Sequence, residues 1–127
     1  MSRKIIIVLV SAALLGAICT AEQIAVHRIT AHAYEQTQEI LAGIREERLE
    51  DAMQKAHALD RVWDERAGFL EMIVNHSSTD EVRYAISRLI AALEKQDAAT
   101  AMVYAAELEG GIEHVYERQA LTLENIF

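Results

Sequence analysis

Three of the five histidines in this chain precede an acidic residue by three positions: His32 with Glu35, His57 with Asp60, and His114 with Glu117. On a helix that spacing places both side chains on one face, where an imidazole nitrogen and a carboxylate oxygen can share a metal ion. Known metal centres need more than a pair. A di-metal bundle uses Glu-x-x-His, in that order, with two further glutamates, and a zinc protease uses His-Glu-x-x-His. This chain has neither arrangement. Surface ion pairs explain the three pairs better. Nucleophilic chemistry fares no better, since Ser2, Ser11, Ser77, Ser78 and Ser87 all lack the glycine setting of a nucleophile elbow. No glycine-rich loop is available to hold phosphate. The expectation is a protein with no catalytic residues and no cofactor, hence not an enzyme.

The elements that position these residues begin with an apolar run from Ile5 to Ala21, preceded by Arg3 and Lys4 and followed by Glu22. It is apolar on every face, unlike the helix of a soluble protein. At helical rise it spans roughly 25 Å, and Thr20 to Val26 can lengthen it toward the thickness of a bilayer. The flanking charges predict a transmembrane anchor over residues 1–21, with its N-terminus in the cytoplasm and residues 22–127 outside. A cleaved signal peptide ending at Cys19-Thr20-Ala21 is the competing reading. The anchor is preferred because the helical pattern continues past Ala21. Ile18 is too large to precede a lipidated cysteine.

All twenty acidic residues lie beyond Ala21, against ten of the twelve basic ones, so that part carries a formal charge of −10. Such a surface repels phosphate backbones and anionic head groups, so nucleic acid is not expected as a partner. Cys19 is the only cysteine, so no intramolecular disulfide can form. The chain has no proline and five glycines, a composition that favours long helices joined by short turns.

Apolar periodicity predicts four helices. The first continues from the anchor through Ile24, Ile29, Ala33, Thr37, Ile40, Leu41 and Ile44, stopping near Gly43. After the charged turn Arg45-Glu46-Glu47-Arg48, the second carries Leu49, Ala52, Met53, Ala56, Leu59, Trp63, Leu70, Ile73 and Val74. It is expected to end near Asn75-His76, with Trp63 in the core and its N–H needing a partner. Ser78 to Glu81 reads as a capping box opening the third helix, which presents Val82, Ala85, Ile86, Leu89, Ile90 and Leu93. Asp97 caps the fourth, which presents Ala98, Ala101, Met102, Ala105, Leu108, Ile112 and Val115. Gly110-Gly111 inside it is either a weak point or room for a neighbouring helix. Short turns make successive helices antiparallel, so the fold class is all-α: a transmembrane helix continuing into an antiparallel four-helix bundle.

That topology gathers His76, His114 and the C-terminal tail at the end of the bundle nearest the membrane. His76 and His114, joined by Asp80 or Glu117, are the only metal candidates. Capping the last carbonyls of the second helix is the preferred role for His76. Asn125, Ile126 and Phe127 are the partner-binding candidates, because an apolar terminus must either fold back or dock elsewhere.

With these residues placed, the chain resembles a bacterial family of small anchored proteins, domain of unknown function 4363. The resemblance rests on the N-terminal apolar helix, Ala52 and Trp63, Asn75-His76, Ser87-Arg88-Leu89, Asp97 with Ala101, His114, and the closing Leu121-Thr122-Leu123-Glu124-Asn125-Ile126-Phe127. Leu49 departs from the aromatic residue typical there, and Ser77-Ser78 from the usual acids. The resemblance implies an anchored helical exterior domain acting alongside another small membrane protein, and it implies no activity. The expected function is therefore a membrane-anchored interaction or scaffold protein of the cytoplasmic membrane. The alternative is a ligand- or metal-sensing domain that uses the His76/His114 end.

Overall fold

The computed structural model describes residues 2–74 and 76–126, with side chains through Arg118. Four helices account for almost all of it: α1 Arg3–Arg45, α2 Leu49–Ile73, α3 His76–Glu94 and α4 Ala98–Ile126. There is no strand among the described residues. Each helix packs on the next, and α4 closes the ring against α1, giving an antiparallel four-helix bundle.

The core stripe of α1 is Val26, Thr30, Ala33, Thr37, Ile40 and Ile44, all buried, at alternating steps of four and three. That is the seam spacing of packed helices. Ala52, Ala56, Leu59, Trp63, Ala67 and Leu70 supply it from α2, and Ala101, Ala105, Leu108, Ile112 and Val115 from α4. On α3 every apolar position expected from the sequence is buried. Two threonines in the α1 seam are tolerated because their hydroxyls donate back to their own helix. Thr37 Oγ1 meets the Ala33 carbonyl at 2.7 Å and Thr30 Oγ1 the Val26 carbonyl at 3.0 Å. Trp63 is the largest fully buried side chain, and its indole N–H donates to the Thr79 carbonyl of α3 at 3.3 Å. The partner it needed is supplied by the neighbouring helix.

Polar ties cross each interface in addition to the apolar seam. Lys55 on α2 reaches Glu39 on α1 at 3.8 Å, and Arg83 on α3 reaches Asp64 on α2 at 3.9 Å. Arg88 on α3 reaches Glu107 on α4 at 3.9 Å. Gln38 on α1 donates to Glu109 on α4 at 2.6 Å.

Four details differ from the sequence-based expectation. Ile24 is 50% exposed, because the seam runs through Val26 and Thr30 instead. Ala98 is exposed in the first turn of α4, ahead of the first seam residue, Ala101. The helix α2 ends at Ile73, and α3 already begins at His76. Ser78 therefore lies inside α3, buried at 2%, and caps nothing; the Thr79 hydroxyl turns back to the His76 carbonyl at 2.9 Å.

The first part of α1 stands apart from the bundle. Its most apolar eighteen-residue stretch has mean hydropathy 2.3, and none of it is buried within the protein. Ile5, Leu9, Leu14, Leu15 and Ile18 are all more than half exposed. The helix is long and apolar enough to cross a membrane.

Candidate functional site

The histidine–acid pairs are spread over three helices. His57 and Asp60 lie with Gln54 and Arg61 along one shallow surface of α2. His32 is exposed on α1. His114 is also exposed and accepts a hydrogen bond on Nε2 from Arg118 Nε at 2.8 Å, one turn further along α4. His76 Nδ1 lies 3.6 Å from the Glu71 carboxylate. That corrects the capping role expected for His76, since it opens α3 and faces an acid rather than the last carbonyls of α2. Glu71 also lies 4.0 Å from Arg83, so the α2–α3 junction is a small charge network. No three His, Cys, Asp or Glu side chains among the described residues group so as to hold a metal ion.

The helix register fixes where these groups lie. A Cβ built on Gly111 would meet Val82 at 3.3 Å, so α4 descends past α3 with His114 about level with Thr79. His76 and His114 thus share one end of the bundle, as the topology predicted. Similarly, Gly43 against Ala52 sets α1 beside α2 and brings Ile73 about level with Glu22. The α2–α3 junction therefore sits beside the point on α1 where the apolar segment ends. Of the partner-binding candidates, Asn125 and Ile126 belong to the last turn of α4, and their side chains lie outside the described ones. Phe127 lies outside the described residues.

At this same end a cleft of about 400 Å³ opens between α1 and α4. From α1 come His27, Thr30, Ala31, Tyr34 and Glu35; from α4 come Ile112, Glu113, Tyr116 and Glu117. The His27 and Tyr116 rings close its lower end, tilted 56° with centroids 5.2 Å apart. The Gln38–Glu109 hydrogen bond spans the same two helices about one turn above Tyr34. Glu35, Glu113 and Glu117 have no ion-pair partner among the described residues. Glu113 and Glu117 repel each other one helical turn apart. Apolar walls, two tyrosine faces and carboxylates without ion pairs are chemically suited to a positively charged group on an apolar body.

Sequence reasoning missed this cleft. It follows only the core stripe of α1. The available signal was a second stripe, His27, Ala31 and Tyr34, running beside the seam at helical spacing.

No curated protein and no solved structure matches this chain. A family match extends over residues 21–126, beginning where the apolar segment ends, and is described as Domain of unknown function (DUF4363). With the match spanning the whole four-helix bundle beyond the apolar segment, the chain belongs to the DUF4363 family.

Proposed function

We propose that this protein is a single-pass interaction protein of the cytoplasmic membrane. Arg3 and Lys4 stay inside, and the bundle of residues 22–127 stands outside, where it partners another membrane protein without catalysis. The observation that carries this reading is the continuity of α1. One unbroken helix is apolar and unburied over its first half and forms a core wall over its second. Whatever medium accepts the first half holds the bundle rigidly, with the α1–α4 cleft facing along the membrane. A partner offering a basic side chain on an apolar helix or loop suits the cleft, with Tyr34 and Tyr116 against the cation and the three glutamates around it.

A photo-crosslinking residue placed at Tyr34 should capture a discrete membrane protein at native expression levels. A double Glu113→Lys, Glu117→Lys variant should lose that product while keeping its melting temperature. Repeated recovery of the chain alone would overturn the reading.

Ligand sensing is the second reading, and the volume of the cleft favours it. It moves the sensing site from the His76/His114 end to the space between α1 and α4. A hydrophobic amine at a hundred times its dissociation constant would stabilise the full chain by about 2.7 kcal/mol. No shift across a panel of such amines removes it.

A further inference from the structure

On the other flank of α1 a groove of about 560 Å³ opens against α2, reaching down to Ala21 where the apolar segment ends. Its chemistry is opposite to that of the α1–α4 cleft. Ile24, Ile29 and Phe69 give it apolar walls, and its two charged side chains are both arginines, Arg28 and Arg66. Ile24 and Phe69 are exposed, as are both arginines. Acids outnumber bases two to one beyond Ala21, yet neither arginine is engaged by a carboxylate among the described residues. Two unpaired cations converging on one groove, in a domain of formal charge −10, mark a place where an anion belongs. The α1–α2 register puts Arg66 about level with Ile29 and Phe69 about level with Val26, roughly one turn above the apolar segment.

We propose that this groove holds an anionic phospholipid of the outer leaflet. Arg28 and Arg66 bind its phosphate through charge-assisted, planar hydrogen bonds. Ile24 and Phe69 cover the glycerol and the upper acyl chain, which then runs down the apolar face of α1. Both halves of the ligand are required, because the arginines lie where headgroups lie and the apolar wall continues into the anchor. The inference rests on the membrane anchoring proposed above.

The test is native mass spectrometry of the full chain in nonionic detergent with phosphatidylglycerol or phosphatidylcholine of matched acyl chains. Phosphatidylglycerol should be retained roughly tenfold better, and an Arg28→Gln, Arg66→Gln double variant should lose that preference. Arg61→Gln, on the outer surface of α2, should keep it. Millimolar inorganic phosphate should not displace the lipid; displacement would mean a phosphate site and overturn the proposal. Equal retention of both lipids, or an unchanged preference in the double variant, overturns it as well. Melting curves check that the double variant folds. Vesicle flotation separates the two readings: a chain that floats without lipid preference loses only this site, and a chain that fails to float loses its anchor.

Discussion

At the scale of single residues, Gly110 and Gly111 divide the two roles open to a glycine pair in a helix. A Cβ on Gly110 meets nothing within 4 Å, whereas one on Gly111 meets Val82 Cγ2 at 3.3 Å. Glycine costs a helix interior about 1 kcal/mol relative to alanine. Gly110→Ala should therefore stabilise the bundle by about 0.5–1 kcal/mol in urea melts, and Gly111→Ala should gain clearly less or lose. Equal gains would mean that α3 and α4 do not approach at Val82. Asp97 shows the other kind of residue-level control. Its carboxylate is held below the ordinary range, first by the Thr100 hydroxyl at 2.6 Å and then by the Thr100 backbone N–H at 3.1 Å; desolvation opposes them, and the Lys95 charge adds the smallest lowering. A pKa lowered by folding contributes stability above the unfolded value, near 3.9, which is lost as pH falls through the folded value. Asp97→Asn keeps a capping oxygen but not the charge. The wild-type advantage over this variant should hold at neutral pH and close in acid, read from denaturation midpoints across the range; an advantage independent of pH would contradict the assignment.

At the scale of elements, the two turns at the far end of the bundle are built alike. Arg48 N–H reaches the Gly43 carbonyl and Glu47 N–H the Ile44 carbonyl; Asp97 N–H reaches Ala92 and Gln96 N–H reaches Leu93. Both are Schellman closures, and both place a non-glycine residue in the left-handed region, Glu47 at φ 61° and Gln96 at φ 56°. That conformation costs an L-residue about 1 kcal/mol or more, which glycine avoids. Glu47→Gly and Gln96→Gly should each raise stability by about 0.5–1 kcal/mol, and the two should add, since they sit in separate turns. Destabilisation by either would show that the side chain does more than occupy the turn. These turns were legible in the sequence because charged, polar residues interrupt two strong apolar stripes. The α2–α3 junction was not. Ser78-Thr79-Asp80-Glu81 satisfies the local pattern of a cap, but α3 begins only three residues after the end of α2, so tertiary packing draws Ser78 and Thr79 into the core. Local chemistry proposed a helix start there, and burial decided otherwise. The seam of α1 was misread for a related reason. Ile24 is more apolar than Thr30, yet Thr30 lies on the inward face, where its hydroxyl is satisfied by its own helix.

At the scale of the whole molecule, α1 is unburied over its first half and a core wall over its second, and the two grooves on its flanks carry opposite charge, the arginine-lined one lying lower. Neither groove was legible in the sequence, because each is made by residues from two helices whose relative register periodicity does not reveal. The medium around the first half of α1 is the condition on which both depend, and the chain carries its own probe for it. Cys19 is the only cysteine, and it is exposed on α1 within the apolar stretch. In water an exposed thiol reacts readily with a charged maleimide through its thiolate; within a bilayer both thiolate formation and reagent access are suppressed. Cys19 in intact proteoliposomes should stay unlabelled until detergent is added. In a Cys19→Ser background, a Gln54→Cys site on the exposed surface of α2 should label from outside without detergent. Prompt labelling of Cys19 in intact vesicles would place the apolar half of α1 in water and remove the anchor while leaving the bundle untouched. In protein isolated from cells, a mature product that gives no cysteine labelling even in detergent has lost its leader and Cys19 with it. The same reagent therefore separates an anchor, a processed signal and a free helix by three distinct patterns.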